Sequence, residues 1–375
     1  SASFSGAISG TGVVVKSGTG ALTLSGGNTY SGGTTITAGT LIATATDSLG
    51  AGGRLTVNGG LLDLNVSHTA DALSGSGGTI DVVAGGTLTL DQAGTTSFAG
   101  SIAGGGALVK DGAGTLTLTG VNSYSGGTTV SGGTLAGDTD SLQGEILNES
   151  QVTFDREDAG TFEGSDTGEG TVVKSGAGRL FVSGALHHGG GTSVLAGTLA
   201  GSTSSLDGSI LNNARVEFVQ SGNGAFDGVI TGTGSVVKNG AGTLTFAGAH
   251  GYSGGTTIAG GTLMVGSDAS LGAAAGALTM AGGTLGLLGD FVSARDIVLS
   301  GAGVFDTDVH DAVLGGAISG GGRFTKAGAG VLVLTGSASH TGGTTVLDGV
   351  LVGDTDTLQG NILNTALLVF DQETG

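Results

Sequence analysis

Ten of the thirty carboxylates in this 375-residue chain fall between positions 138 and 169: Asp138, Asp140, Glu145, Glu149, Asp155, Glu157, Asp158, Glu163, Asp166 and Glu169. Arg156 is the only cation among them. Such oxygen density suits calcium, which takes six to eight oxygen ligands. Neither an EF-hand loop nor a Gly-Gly-x-Gly-x-Asp nonapeptide occurs, however, and Ser202 and Ser204 stand where a related segment has Asp138 and Asp140. A solvated acidic face is the reading these residues favour, with no metal assigned. Hydrolytic or lyase chemistry on acidic polysaccharides needs two or three converging carboxylates, or a base beside a cation. Glu163, Asp166, Glu169, Arg179, His187 and His188 would supply them if stacked turns brought them together. The phrases Asn-Thr-Asp, Gly-His-Gly and Gly-Asp-Ser-Gly are missing, and six scattered histidines without cysteine give no zinc spacing. The expectation is a protein without catalytic, cofactor or metal residues, whose contacts would come from Asp138, Asp140, Glu163, Asp166, Glu169, His187 and His188.

These side chains must be positioned by a backbone of unusual composition. Glycine fills 83 positions, while proline, cysteine and tryptophan are absent. Collagen is excluded by the missing proline and Gly-X-Y period, and disulfides are excluded outright. No apolar run approaches the roughly 18 residues of a membrane-spanning helix, and SASFSGAISG is not a signal peptide, so an export signal or anchor is expected outside this chain. A net charge of −19 repels phosphate backbones and anionic lipid. Nucleic acid and bare membrane are therefore poor partners.

The phrase GAGTLTLTGVNSYSGGTTVSGGTL, from Gly112 to Leu135, returns in variant form at Gly18, Gly176, Gly240 and Gly328. Its fifth residue is always Leu and its seventh always apolar, a strand with one buried face. Glycines at six fixed places bracket the strands, where they provide positive-φ turns or close backbone approach. The period of two and the interior glycines argue against helix. Gapless copies favour coils that stack on one another over antiparallel meanders. The chain thus reads as an all-β, single-stranded parallel β-helix, with coils of roughly 20 residues, about 18 turns and a length near 85 Å. One continuous domain is expected over 1–375, with five repeat copies at about 4–41, 98–135, 162–199, 226–263 and 314–351. The ending Phe370–Gly375 parallels Phe154–Asp158, as if the chain stopped in mid-repeat.

Two repeat positions invite a functional reading. All five lysines (Lys16, Lys110, Lys174, Lys238, Lys326) precede a Gly-x-Gly turn; a solvated strand end that discourages sideways sheet pairing is favoured over a cationic row. Tyr30, Tyr124, His188, Tyr252 and His340 share another position. Their rings would either contact carbohydrate or cover the core at a corner, and the corner is favoured.

Together the five copies, opening on phrases such as KSGTGALTLSGGNTYSGGTTITAGTL, closely resemble the passenger-associated transport repeat of bacterial autotransporters, over somewhat more than half the chain. The resemblance implies a right-handed β-helix, export through the outer membrane of a Gram-negative bacterium, and anchoring by an outer-membrane barrel not contained in this sequence. It also implies a surface role such as adhesion or aggregation, with glycan or protein on host or bacterial cells, or the same protein on a neighbouring cell, as partner. Copy three departs from the pattern: Asp166 replaces the apolar residue found at Ile8, Ile102, Ile230 and Ile318, and Leu186-His187-His188 replaces Asn-x-Tyr.

Overall fold

A computed structural model describes residues 1–50 and 52–372. Glu373, Thr374 and Gly375, the end of the phrase compared with Phe154–Asp158, lie outside the described residues. Every strand pairing given is parallel, no α-helix occurs among the described residues, and the chain winds as a β-solenoid of about 18 turns. Two compact units are distinguished, Ser1–Gly191 and Thr192–Gly375.

In the first unit, one face stacks Ala2–Phe4, Ala21–Leu24, Thr40–Ala43, Leu61–Leu64, Thr79–Val82 and Ser101–Gly104. A second stacks His68–Ala70, Thr87–Asp91, Ala107–Asp111, Thr128–Val130, Glu145–Asn148, Ser165–Gly168 and Ala185–His188. Registers repeat at about 20 residues, as in Leu88 beside Leu108 and Leu108 beside Thr128. Like residues from successive windings therefore meet, which is why the sequence keeps its spacing. Alternation sends Leu88, Leu108 and Ile146 inward and Thr89, Val109, Thr129 and Leu147 outward.

The second unit has the same construction. Thr243–Phe246, Thr262–Val265, Thr284–Leu287, Gly303–Asp306, Phe324–Ala327 and Thr344–Val346 form one ladder. Its inner column runs Leu244, Leu263, Leu285, Phe305 and Lys326, each buried. Phe218, Phe226 and Phe246 pack edge to face with centroids 5.1 to 6.1 Å apart, a geometry aromatic quadrupoles favour. One short 3-10 turn, Asp268–Leu271, forms a corner.

The repeat glycines answer two demands. Gly33 (φ 90°) and Gly39 (φ 70°) take the left-handed conformation. Gly26 instead has ordinary φ, but a Cβ there would lie 2.2 Å from the carbonyl oxygen of Gly6 in the preceding coil. Gly33 and Gly39 are crowded as well, a Cβ there lying 2.3 and 2.4 Å from a carbonyl oxygen of a neighbouring coil, so both demands coincide at those positions and inter-coil contact alone acts at Gly26.

Candidate functional site: the acidic corner of the second repeat

The corner after Thr134–Gly137 is built by Asp138. Its Oδ1 accepts hydrogen bonds from the backbone N–H of Asp140 (3.0 Å) and Ser141 (2.9 Å) and from Ser141 Oγ (2.9 Å). Leu142 then turns inward and is buried. Asp354 closes an equivalent corner through Asp356 and Thr357 N–H, both 2.9 Å, and those bonds to its charged form hold its carboxyl below the usual range. At the third copy Ser202 Oγ accepts from Ser204 N–H at 3.3 Å. The Asp-to-Ser change thus keeps an acceptor where the corner needs one.

Arg156, on the following winding, gathers this acidic loop. Its Nη1 donates to Thr139 Oγ1 (2.7 Å) and lies 3.7 Å from Asp140 and 4.0 Å from Asp138, while Nε lies 3.1 Å from Asp158. Three carboxylates of the acidic run are thereby partly compensated. Among the described residues no group of three His, Cys, Asp or Glu side chains is spaced to hold a metal ion.

The aromatic position depends on what covers it. Tyr30 and Tyr252 are enclosed, their hydroxyls 2.6 and 2.7 Å from Thr34 and Thr256 Oγ1. Gly50 and Gly272, both with φ 81°, lie so near these rings that a Cβ would come within 3.0 and 2.8 Å of them. Burial raises both phenol pKa values, and Tyr124's as well. In the second copy Gln143 stands where those glycines do. There a groove of about 570 Å³ opens beside the half-buried Tyr124, lined by Ser125, Gln143, Gly144 and Glu145. A second groove of about 380 Å³ lies across the same loop, lined by Thr139, Asp140, Gln143, Phe162 and Glu163.

Of the sequence candidates, Tyr124, Asp140 and Glu163 thus border neighbouring grooves, with Asp138 shaping the loop between them. Tyr30 and Tyr252 are inside the coil, away from any surface partner. Asp166 and His188 are buried together, whereas Glu163, Glu169 and His187 face solvent and Arg179 lies over the Phe181 ring. Asp166 and His188 point into the coil, His187 points out of it and Arg179 stands on another sheet, so the six residues considered for polysaccharide cleavage are not gathered on one face.

The lysine expectation requires correction. Lys110, Lys174, Lys238 and Lys326 are fully buried and Lys16 is 6% exposed. Each ammonium donates to backbone carbonyls of its own turn, which compensates for the lost water. Sequence reasoning also missed Arg295, 3% exposed, whose guanidinium is bidentate to Asp268 (2.7 and 2.9 Å) and donates to the carbonyl of Gly276 at 2.7 Å.

The passenger-associated-transport-repeat model matches residues 14–43, 108–136, 172–200, 236–265 and 324–352. The chain is 32% identical over 149 residues to the adhesin BmaC autotransporter of Brucella suis biovar 1 (strain 1330), an overlap of 32% of this chain and 4% of that protein. No solved structure matches it. The five repeats and the Brucella relative support an autotransporter passenger. The chain is accordingly a surface-exposed protein, exported through the outer membrane of a Gram-negative bacterium.

Proposed function

We propose that this passenger is a non-catalytic adhesin that binds glycan or protein on other cells, or its own copies, through the second-repeat corner. The observation that carries this reading is the open flank of Tyr124. Tyr124 beside Gln143 and Glu145 offers a stacking surface with hydrogen-bonding groups, and the adjoining groove across Gln143 adds Asp140 and Glu163, a combination suited to polar, ring-shaped ligands. A shallow site of this kind binds weakly. Many displayed copies acting together convert weak contacts into firm attachment. The name of the Brucella relative supports the same reading.

Display of the chain on a non-adherent bacterium tests it. Cell clumping or retention on a glycan and host-cell panel is expected, and Gln143→Ala with Glu163→Gln is expected to lower it at least about tenfold while leaving the melting temperature unchanged. If deletion of residues 1–375 from the full protein leaves attachment intact, the segment is a stalk that holds an effector elsewhere. Release of sugar ends by the purified chain would replace the reading with an enzymatic one.

A further inference from the structure

We propose that the buried lysines are inter-coil latches that make neighbouring windings of the transport repeat close together. Lys110 Nζ donates to the carbonyls of Asp111 (2.8 Å) and Gly112 (2.8 Å) in its own turn and of Gly132 (2.9 Å) one winding later. Lys16 repeats this with Ser17, Gly18 and Ala38, Lys238 with Asn239, Gly240 and Gly260, and Lys326 with Ala327, Gly328 and Asp348. Lys174 donates to Ser175 and Gly176 in its own turn. The three donors of an ammonium are matched by three acceptors, two local and one 22 residues ahead. Until the next winding is in place the cage lacks an acceptor, and burying the charge is unfavourable.

The glycine that ends the phrase belongs to the same device. A Cβ at Gly39 would lie 2.6 Å from Lys16 Nζ, and one at Gly261 would lie 2.8 Å from Lys238 Nζ. Both glycines are also left-handed, at φ 70° and 62°. Lysine and glycine, 23 residues apart, are therefore two halves of one contact. Windings without a lysine use a neutral amide for the same span: Gln92 Nε2 donates to Gly94 (3.0 Å) and Thr115 (3.4 Å), Asn148 Nδ2 to Thr171 (3.0 Å), and Asn212 Nδ2 to Ser235 (2.9 Å).

Hydrogen exchange on the full chain tests the latch. Gly114 N–H, in the lysine's own turn, is bonded to Gln92 O of the preceding winding, and Thr134 N–H, in the next winding, is bonded to Gly114 O. Lys110→Met is expected to speed exchange at both by at least about tenfold, leaving Thr284 N–H unchanged, whereas Lys110→Gln keeps Thr134 protected, as an amide does at Gln92. Loss confined to Gly114, or equal behaviour of the Met and Gln variants, overturns the proposal. Should the Met variant not fold, amine acetylation of the wild-type chain decides: the five lysines are expected to react at least about 100-fold more slowly than free lysine, and comparable rates overturn it.

Discussion

Asp166 Oδ1 lies 3.3 Å from His188 Nδ1, with both side chains buried inside the third repeat, and Asn148 Nδ2 approaches the same oxygen at 3.3 Å. The second carboxylate oxygen, Oδ2, is buried without a hydrogen-bond partner. Four other copies place isoleucine at this point, so the third winding holds a polar pair in an apolar place. Replacing a buried polar pair by well-packed apolar residues often stabilises by about 1–4 kcal/mol. Asp166→Ile with His188→Tyr, which restores the repeat pattern, is expected to raise the denaturation midpoint, as read by urea unfolding of the purified chain.

Acid should weaken the second unit through His250. Burial pushes its pKa down to about 4 from 6.5, and its Nδ1 accepts the Ile230 N–H at 3.3 Å, a role that needs the neutral ring. The folded state then binds fewer protons than the unfolded one, so this contribution is complete above pH 6.5 and is lost as pH falls toward 4, by at most about 1.4 kcal/mol per pH unit. His68 and His340 are depressed by burial in the same direction. Asn28 and Asn122 make the equivalent bond with an amide oxygen at 2.7 Å. Thermal unfolding of His250→Asn is therefore expected to show a flatter pH profile between 6.5 and 4.

Two arginines bind acidic corners, and their burial separates their importance. Arg295 is enclosed and Asp268 is 21% exposed, so Arg295→Met leaves a partly buried carboxylate and several backbone carbonyls without their donor and is expected to cost up to about 3 kcal/mol. Arg156 faces carboxylates that are 36% to 82% exposed. Water and salt screen that network, and Arg156→Met is expected to cost about 1 kcal/mol or less, shrinking further at high ionic strength. Chemical denaturation at two salt concentrations distinguishes the pair.

The winding was legible because its signal is periodic: apolar, polar, apolar strands and six glycines return at fixed spacing, and parallel stacking is the arrangement in which such copies meet. The lysines were legible in principle too. Alternation places Lys110 on the same side as Leu108, and only the cost of burying an unpaired charge argues for leaving the ammonium in water. What alternation does not reveal is that two local carbonyls and a third 22 residues beyond the lysine converge on one point. The openness of Tyr124 was hidden for a similar reason, since it depends on Gln143 standing where Gly50 and Gly272 stand in other copies, and only the folded corner shows that those glycines cover a ring.

Sequestration of the lysines also governs how this surface meets digestive enzymes. A protease that cuts after lysine must draw an extended segment into its cleft with the ammonium leading. In this protein each such bond sits at a turn whose ammonium is already engaged by the backbone. Trypsin-like attack on the folded passenger is thereby steered to exposed arginines such as Arg54, Arg215 and Arg323. The lysyl bonds become substrate only where a winding has first come undone.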